Sequence, residues 1–400
     1  MKAIFVNHCH PAEPHVCAVR LREFARVMAG RGHQIILLTE TLSNDDAGLL
    51  PDDLAARLAA HDWSQPFMMD IAPVGHRMLA AARQGRLVKP VRRALLLMSY
   101  LCHGGVHCDW QAGVRRCLPV LAENFRPDVV WATFGNTTCW HIARDIARST
   151  GCPWVADLKD HWQSFIPAPL RRPVAARYRD AAAFTAFSGD HVATVREWFD
   201  RPADIVYSGI DPALYPVAAT RTQTITLTGA VYEQASLAVL IGGIEVAVSE
   251  MDEAARQAVR FCYAGHDADL VREQATGLEK LIAVDIRGQQ PLGGWLEVLS
   301  GAAANCYVKS SRTFHHKIFD LAGAGRPVVT VPAETAEAAD IAALAGVSLR
   351  GGETVGEVAA LLQDALISGA ADTIAERAAL SWEERAGALE QTLMSVMRGA

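Results

Sequence analysis

The chain has 400 residues, of which 50% are hydrophobic and 20% charged, and its formal net charge is −6. This length exceeds one ordinary hydrophobic core and predicts two domains, while the composition excludes disordered and fibrous proteins. No apolar run reaches the ~20 residues that a membrane-spanning helix needs. The apolar start is too short for a signal peptide, so we expect a cytoplasmic protein whose nine cysteines are reduced.

The first half of the chain alternates apolar strands with helical patterns. Strands are predicted at residues 3–7, 34–39, 129–133, 154–157, 183–188 and 204–207, and helices at 19–31 and 138–149. This order predicts a parallel sheet with right-handed crossovers. The charge is uneven: residues 1–215 hold 24 Lys/Arg against 21 Asp/Glu, and residues 216–400 hold 14 against 23. An anionic surface or acceptor is therefore expected on the first half.

A second alternation follows a break at residues 208–212, where Gly209 and Pro212 interrupt regular structure. Strands are predicted at 224–228, 260–264, 281–285, 303–308 and 327–331, and helices at 237–249, 316–324 and 381–397. We predict an N-terminal domain over 1–215, a C-terminal domain over 216–380, and a closing helix in 381–400 that crosses back to the N-terminal domain. Open α/β sheets bind ligands at the carboxyl ends of their strands.

Seven stretches resemble GT-B glycosyltransferases, particularly family-4-like bacterial enzymes that build polysaccharides and other glycoconjugates. They are 18–39 (AVRLREFARVMAGRGHQIILLT), 127–133 (PDVVWAT), 155–162 (VADLKDHW), 207–211 (YSGID), 228–232 (TGAVY), 317–329 (KIFDLAGAGRPVV) and the surroundings of Trp382. Together they span nearly the whole chain in the family's order. The resemblance implies two Rossmann-like domains facing a central cleft, and transfer of a sugar from a nucleoside-diphosphate sugar to an acceptor hydroxyl.

The expected donor site lies in the C-terminal domain. Asp320 stands where the family has a glutamate that binds the ribose, and Lys317, three residues earlier, is similar to a lysine that contacts the diphosphate in one branch. Arg312 is a second candidate cation. The alternatives are an ordinary helix acid and surface cations. Gly229 and Gly265 end strands at positions where a ligand could pass close to the backbone, although a plain turn would explain either glycine. Tyr232 is a further candidate, at the end of the 228–232 stretch.

The expected acceptor site lies in the N-terminal domain. Asp157 and Asp160 follow a strand, and the resemblance to an inverting branch indicates Asp160 as the general base. A helix cap or a salt bridge with Lys159 is the alternative. His161 is the second candidate base. Two further polar residues could reach phosphate, acceptor or a sugar hydroxyl: Arg20 and Asn136.

The sequence departs from the family pattern at several positions. Many retaining members carry two glutamates eight positions apart, whereas this chain has Arg312 and Asp320. No cation occurs between residues 229 and 237, where the family has an Arg/Lys pair. These departures keep two alternatives open: a nucleotide-sugar epimerase on the same fold, and a catalytically inactive homologue that binds a partner.

Two His/Cys clusters are weighed as metal sites. The first cluster comprises Cys102, His103, His107 and Cys108, and the second comprises His8, Cys9 and His10. Neither cluster has the ligand spacing of a recognised zinc finger, so we expect no metal. The second cluster is expected to line the cleft. No cofactor is expected beyond the donor substrate.

A basic segment carries six cations between residues 71 and 100 and no acid: Arg77, Arg83, Arg86, Lys89, Arg92 and Arg93. Interleaved leucines suit an anionic membrane surface or a lipid-phosphate acceptor. The alternative is a solvated helix face. Nucleic acid is not expected as a partner, because the chain is acidic and contains no nucleic-acid motif.

Overall fold

The computed structural model describes residues 1–13, 16–43, 48–75, 77–215, 221–309, 316–367 and 374–399. The chain divides into two compact units. Unit 1 comprises Met1–Tyr207 and Arg385–Ala400, and unit 2 comprises Ser208–Glu384. The division between them falls earlier than the predicted boundary at 215.

Unit 1 is built on a seven-stranded sheet, and all of its neighbouring strands run parallel. The strands are β1 (Lys2–Val6), β2 (Gln34–Glu40), β3 (Phe67–Ile71), β4 (Val129–Thr133), β5 (Trp154–Leu158), β6 (Ala183–Ala186) and β7 (Ala203–Ile205). Their order is β3-β2-β1-β4-β5-β6-β7. The order reverses between β1 and β4, which is the position where doubly wound sheets bind ligands.

Eight helices of unit 1 join these strands and cover both faces of the sheet, which explains the continuous apolar runs of the strands. They are α1 (Val16–Gly30), α2 (Pro51–Ala60), α3 (Arg77–Arg83), α4 (Lys89–His103), α5 (Cys108–Val120), α6 (Thr137–Thr150), α7 (Arg171–Arg177) and α8 (Gly189–Phe199). Local chemistry sets their ends. For example, α6 begins because the Asn136 side chain accepts a hydrogen bond from the Thr138 amide, and it ends at Gly151, whose φ of 76° is left-handed.

Unit 2 repeats this architecture with a six-stranded parallel sheet. Its strands are β8 (Thr224–Thr228), β9 (Arg260–Ala264), β10 (Ala283–Arg287), β11 (Ala304–Val308), β12 (Val328–Val331) and β13 (Leu349–Gly351), in the order β10-β9-β8-β11-β12-β13. Here the order reverses between β8 and β11. The sequence reasoning did not assign β3 or β13, and it placed β10 two residues too early.

The remaining helices are α9 (Gln234–Ser249), α10 (Glu253–Ala258), α11 (Ala268–Gln274), α12 (Leu292–Gly301), α13 (Lys317–Gly323), α14 (Ala336–Leu344), α15 (Val355–Ile367) and α16 (Trp382–Gly399). In unit 2, α9 packs closely on α15. A Cβ at Gly243 would lie 2.5 Å from a methyl group of Val358, so glycine permits this approach. Among the described residues, no helix combines the length and the apolar character needed to cross a membrane.

Each unit has its own hydrophobic core. The core of unit 1 is rich in aromatic side chains, including the buried Trp110, Trp140 and Trp154. The closing helix α16 carries the buried Leu389 and Leu393. Burial of such side chains contributes roughly 25 cal/mol per Å² of apolar surface.

Polar contacts also join α16 to the rest of unit 1. The Glu390 carboxylate accepts hydrogen bonds from Arg31 at 2.5 Å and from His33 at 2.6 Å. The Thr392 hydroxyl donates to the Asp204 carboxylate at 2.8 Å. The last turns of the chain therefore belong structurally to the unit that begins at Met1.

Candidate functional site

The carboxyl ends of β8 and β9 in unit 2 meet in a tight polar turn. The Tyr263 hydroxyl donates to the Gly229 carbonyl at 2.8 Å and accepts from the Asp267 amide at 3.0 Å. A Cβ at Gly265 would lie 2.3 Å from the Tyr263 oxygen. Protein atoms of the turn therefore leave no room for a side chain at Gly265.

Lys317 is the cation of this turn. Its ammonium donates to the carbonyl oxygens of Thr228 at 3.0 Å and of Ala230 at 3.1 Å. It lies 5.4 Å from the centroid of the Tyr232 ring. A Cβ at Gly229, whose φ is +81°, would lie 2.5 Å from this ammonium. The structure therefore brings together three of the predicted donor-site residues: Lys317, Gly229 and Tyr232.

The electrostatics of Lys317 suit an anionic ligand. Burial lowers the pKa of Lys317 to about 8, and the negative charge of Asp267 opposes that shift only partly. The described partners of its ammonium are two neutral carbonyls, which stabilise the positive charge less than an anion would. A phosphate group at this position would supply the missing negative charge.

Asp320 lies on the same helix as Lys317 but contacts a different element. The Tyr215 hydroxyl lies 3.5 Å from its carboxylate and 3.2 Å from its backbone oxygen. Burial raises the pKa of Asp320 to about 6, against the smaller opposing effect of the Tyr215 hydrogen bond. The third predicted donor-site side chain, Arg312, lies outside the described residues.

In unit 1, Asp157 and Arg20 form a fully buried ion pair at 3.2 Å. Asp157 also accepts from the hydroxyls of Thr133 at 3.0 Å and Thr185 at 2.7 Å. Arg20 donates to the Val206 carbonyl at 2.9 Å. A general base must reach a substrate proton, and neither side chain has surface exposure, so this geometry favours a structural role that ties β4, β5, β6 and α1 together.

Asp160 and His161 are half-buried at the carboxyl end of β5. The His161 ring stacks on the His191 ring at 4.5 Å, and its Nε2 lies 3.4 Å from the Asp190 carboxylate. Burial, together with the charge of His161, lowers the pKa of His191 to about 3 and keeps it neutral. The Lys159 ammonium lies 3.1 Å from the sulfur of Cys17. Among the predicted catalytic residues, Asp160 and His161 are therefore the ones a substrate could reach.

Asn136 is 5% exposed and acts as the cap of α6, where its oxygen accepts from the Thr138 amide at 2.9 Å. Its Nδ2 has no hydrogen-bond partner among the described residues. Capping therefore uses the Oδ1 atom of Asn136, and the predicted hydrogen bond to a sugar hydroxyl would have to use its Nδ2 atom.

A polar cavity of about 430 Å³ opens in unit 1 beside the carboxyl ends of β1 and β2. We call it the His107 pocket. Its lining includes two acidic side chains, two arginines and two histidines: Glu13, Glu40, Arg83, Arg86, His8 and His107. The sequence reasoning missed Glu40 and Arg83 as site residues. Glu40 carried one usable signal, since it is the polar residue at the carboxyl end of an apolar strand.

The polar atoms of this pocket are held by ion pairs. His107 Nδ1 lies 2.8 Å from the Glu40 carboxylate, and the Arg83 guanidinium lies 3.1 Å from the same group. Arg83 is also 2.7 Å from the Asp109 carboxylate. Burial alone would raise the pKa of Glu40, but the hydrogen bond and charge of His107, with the charge of Arg83, outweigh burial and lower that pKa. Glu40 is therefore ionised.

Three members of the first His/Cys cluster line one cavity beside α4, namely Cys102, His103 and Cys108, whereas His107 lies in the His107 pocket. His107 pairs with Glu40, whereas Cys102 is exposed. His8 from the other cluster lines the His107 pocket, and Cys9 is buried. Within the described ranges, no group of three or more His, Cys, Asp or Glu side chains is arranged to hold a metal ion.

Comparison with known proteins gives structural neighbours only. No family model matches the sequence, and no curated protein matches it. The fold is similar to that of Anabaena HepE in complex with UDP, with a TM-score of 0.58. The two sequences are 14% identical, and the match covers 99% of this chain and 100% of that chain. The fold is also similar to that of an α,α-trehalose-phosphate synthase (UDP-forming) from Burkholderia xenovorans in complex with glucose-6-phosphate, with a TM-score of 0.65. These two sequences are 11% identical, and the match covers 98% of this chain and 99% of that chain.

A third neighbour is a Listeria monocytogenes protein whose name assigns it to the UDP-N-acetylglucosamine 2-epimerases. It shares 13% identity over 100% of this chain and 97% of that chain, with a TM-score of 0.57. At such identities the likeness establishes the fold. The two doubly wound parallel sheets, of seven and six strands, confirm the predicted two-domain α/β architecture of the GT-B type.

Proposed function

We propose that the chain is a glycosyltransferase that moves a sugar from a nucleoside-diphosphate sugar to an acceptor hydroxyl. The observation that carries this proposal is Lys317, a half-buried cation with a lowered pKa at the carboxyl end of the central strand of unit 2. Its surroundings disfavour the positive charge until an anion binds. The nucleotide in HepE and the sugar phosphate in the trehalose-phosphate synthase, two proteins of this fold, are ligands of the same kind.

In this proposal unit 2 binds the donor. Lys317 contacts the diphosphate and stabilises the negative charge that develops as the nucleoside diphosphate leaves. Asp320, which lies one helical turn further along α13, accepts hydrogen bonds from the ribose hydroxyls. Gly229 and Tyr232 shape the turn beside the phosphates, Gly265 supports it, and Arg312 is a second cation.

Unit 1 binds the acceptor. Asp160 and His161 follow β5 at the carboxyl edge of the sheet and are the candidate bases that remain accessible. The buried pair of Arg20 and Asp157 holds that strand end in place. Asn136 is the candidate donor to an acceptor oxygen, through an Nδ2 that is buried in this structure without a hydrogen-bond partner among the described residues.

The experiment is a transfer assay with labelled UDP-glucose, UDP-N-acetylglucosamine and GDP-mannose, each with and without a panel of methyl glycosides. Acceptor-dependent release of nucleoside diphosphate is the expected result. Isomerisation of the donor sugar would instead support the epimerase alternative, which the Listeria neighbour brings into consideration. Nucleotide binding without turnover would support an inactive homologue.

We further propose that α4 contacts an anionic membrane or a lipid-linked acceptor. Its exposed surface combines basic side chains with large apolar ones: Lys89, Arg92, Arg93, Leu97, Met98 and Leu101. A mainly apolar cavity of about 560 Å³ lies between α3 and α4. All nine cysteines are free, which supports a cytoplasmic location.

Cosedimentation with vesicles tests the membrane contact. Vesicles that contain phosphatidylserine should retain the wild-type protein, and the variant Lys89→Glu/Arg93→Glu should bind them less. Arg196→Glu, an exposed change on α8, is the control for general charge. Equal binding of all three proteins would contradict the proposed contact.

A further inference from the structure

A polar cavity of unit 1 is bounded by α4, α5, α6 and α7. Its volume of about 570 Å³ is within the range of small-molecule sites, and it shares no lining residue with the His107 pocket. We call it the Arg177 cavity. Its charged lining residues are one aspartate and four arginines: Asp145, Arg115, Arg144, Arg148 and Arg177. The cavity is therefore a candidate site for an anion.

Hydrogen bonds between α5 and α6 fix one wall of this cavity. Asp145 on α6 accepts from the side chains of Gln111 at 2.7 Å and Arg115 at 2.8 Å, both on α5. Arg144 and Arg148 are four residues apart on α6, so they project from one face of that helix. Both of them line the cavity. The helical repeat of α6 thus places two guanidinium groups on a wall that Asp145 holds in position.

The acids near the cavity do not balance its arginines. Asp145 is the acid of the lining, and a second acid outside it, Asp180, lies 2.8 Å from Arg144. Asp180 is 3.7 Å from Arg148. No described residue forms a hydrogen bond or an ion pair with the Arg177 guanidinium. Two positive charges therefore remain in excess at the cavity, although the whole chain has a net charge of −6.

The turn after α4 brings Arg177 close to His141. Gly104 follows α4 with a φ of 78°, and a Cβ there would lie 2.6 Å from His141 Nε2 and 2.7 Å from Arg177 Nη1. Glycine therefore lets both side chains pack against the same turn. Burial lowers the pKa of His141 to about 4, and the positive charges of Arg177 and Arg144 act in the same direction. A bound anion would offset this concentration of positive charge.

We propose that the Arg177 cavity binds a phosphate monoester, whose oxygens accept hydrogen bonds from the Arg177 and Arg148 guanidinium groups. The planar guanidinium matches two oxygens of a phosphate, and the opposite charges strengthen both hydrogen bonds. Asp145 and His103 also line the cavity and can bond hydroxyl groups of the ligand. No residue assigned to the donor or the acceptor lines this cavity, so the ligand is additional to the substrates of the proposed sugar transfer.

Two sources present a phosphate monoester to this cavity. One is a soluble sugar or polyol phosphate. The other is the headgroup of phosphatidic acid, because α4 supplies one wall of the cavity and is also the proposed membrane contact. Glycerol 3-phosphate and phosphatidic acid carry the same phosphate group, so the pair distinguishes the two sources.

The first test measures the soluble ligand. Glycerol 3-phosphate is titrated by calorimetry, at constant ionic strength, into Lys317→Met, in which the proposed diphosphate site has lost its cation. We expect saturable binding. Adding Arg148→Gln/Arg177→Gln should weaken it at least about tenfold, because hydrogen bonds from charged groups are lost.

The matched control is Arg116→Gln/Arg172→Gln. It removes the same charge from α5 and α7 at positions outside the cavity lining, and it should bind glycerol 3-phosphate normally. All four substituted arginines are exposed, so both paired variants should fold.

NMR locates the bound phosphate. The ring signals of His141, which lines the cavity, should shift saturably with the same Kd, and those of His61, which does not line it, should stay unchanged. Binding that leaves His141 unshifted would place the ligand elsewhere and overturn the inference.

The second test measures the lipid source with vesicles of phosphatidylcholine, with and without phosphatidic acid. If the phosphate comes from a lipid headgroup, Arg148→Gln/Arg177→Gln should lose the binding that depends on phosphatidic acid, and the control pair should keep it. If the source is soluble, the two pairs bind vesicles equally and differ only in the calorimetry.

Equal behaviour of the two pairs in both assays, or no calorimetric and no vesicle binding with about 10 mM phosphate monoester, would overturn the inference. A failed sugar-transfer assay would leave these measurements unchanged, so the cavity and the proposed function are tested separately.

Discussion

Replacing Lys317 with methionine tests the donor site most directly. The change keeps the length of the side chain and removes its charge. A hydrogen bond to a charged group contributes about 1.5–3 kcal/mol, so the affinity for UDP, GDP or ADP should fall roughly 10- to 150-fold. Isothermal titration calorimetry measures that change.

The stability of this variant should not fall in parallel. The pKa of Lys317 drops from its ordinary 10.5 to about 8, which corresponds to a cost of about 3 kcal/mol for keeping the charge in this position. Methionine relieves that cost but leaves the carbonyls of Thr228 and Ala230 without this donor. We therefore expect a melting temperature close to that of the wild type.

The pH dependence gives an independent signature. Below about pH 8 the Lys317 ammonium is protonated, and it loses its proton as the pH rises through that value. Nucleotide affinity of the wild type should therefore decrease between about pH 7 and about pH 9, where the phosphates stay fully ionised because they titrate near pH 6. Lys317→Met should show a nearly flat profile. Lys280→Ala, an exposed change in unit 2, should behave as the wild type. Wild-type affinity in Lys317→Met would refute the donor site.

Three further changes test other contacts. Asp320→Asn should raise the melting temperature at about pH 7.5 and change it little at about pH 4. The reason is that burial raises the pKa of Asp320 from 3.8 to about 6, so the cost of ionising this carboxylate develops as the pH rises through that range. The variant should also bind nucleotide more weakly, and an unchanged melting profile would argue against the burial of this group. Asp157→Asn should lower the free energy of unfolding of unit 1, measured by urea denaturation, by about 3–5 kcal/mol, because it leaves the buried Arg20 without its counter-charge. A variant of normal stability that lacks activity would instead indicate that Asp157 is catalytic. Gly135→Ala should lower the melting temperature, because its Cβ would lie 2.2 Å from the His8 ring and that ring would have to move. An unchanged melting temperature would show that the ring moves without cost.

Local sequence patterns were sufficient to predict the architecture. Apolar runs with turn residues between them fix the strands, and the strand–helix alternation fixes the parallel sheets. The same patterns were weaker for short edge strands. For example, β13 has three residues, of which Arg350 is exposed, so its sequence lacks the apolar character of a central strand.

The roles of individual polar residues were harder to predict, because contacts between distant segments decide them. Asp157 ends an apolar strand and therefore resembles a site residue, yet the Thr133 and Thr185 hydroxyls on neighbouring strands bury it. Arg20 could have been recognised from helical spacing, since it lies on the same face of α1 as the buried Cys17 and Phe24.

The contact between Glu40 and His107 joins two distant segments of the chain. Glu40 and His107 are 67 residues apart, so no local motif joins them. Lys317 and the Thr228 carbonyl are 89 residues apart, and only the family resemblance indicated that Lys317 belongs to a site. The resemblance therefore indicated Lys317, whereas the pairing of Glu40 with His107 is evident only from the coordinates.

The position of α16 has a consequence for how the protein is made. Unit 1 consists of two segments that are separated by all of unit 2, and the second segment contributes the buried Leu389 and Leu393. During translation, the segment that contains α16 must therefore be synthesised before unit 1 can be completed. Release of residues 1–207 by proteolysis or truncation should yield an incomplete unit, whereas unit 2 is one continuous segment of the chain.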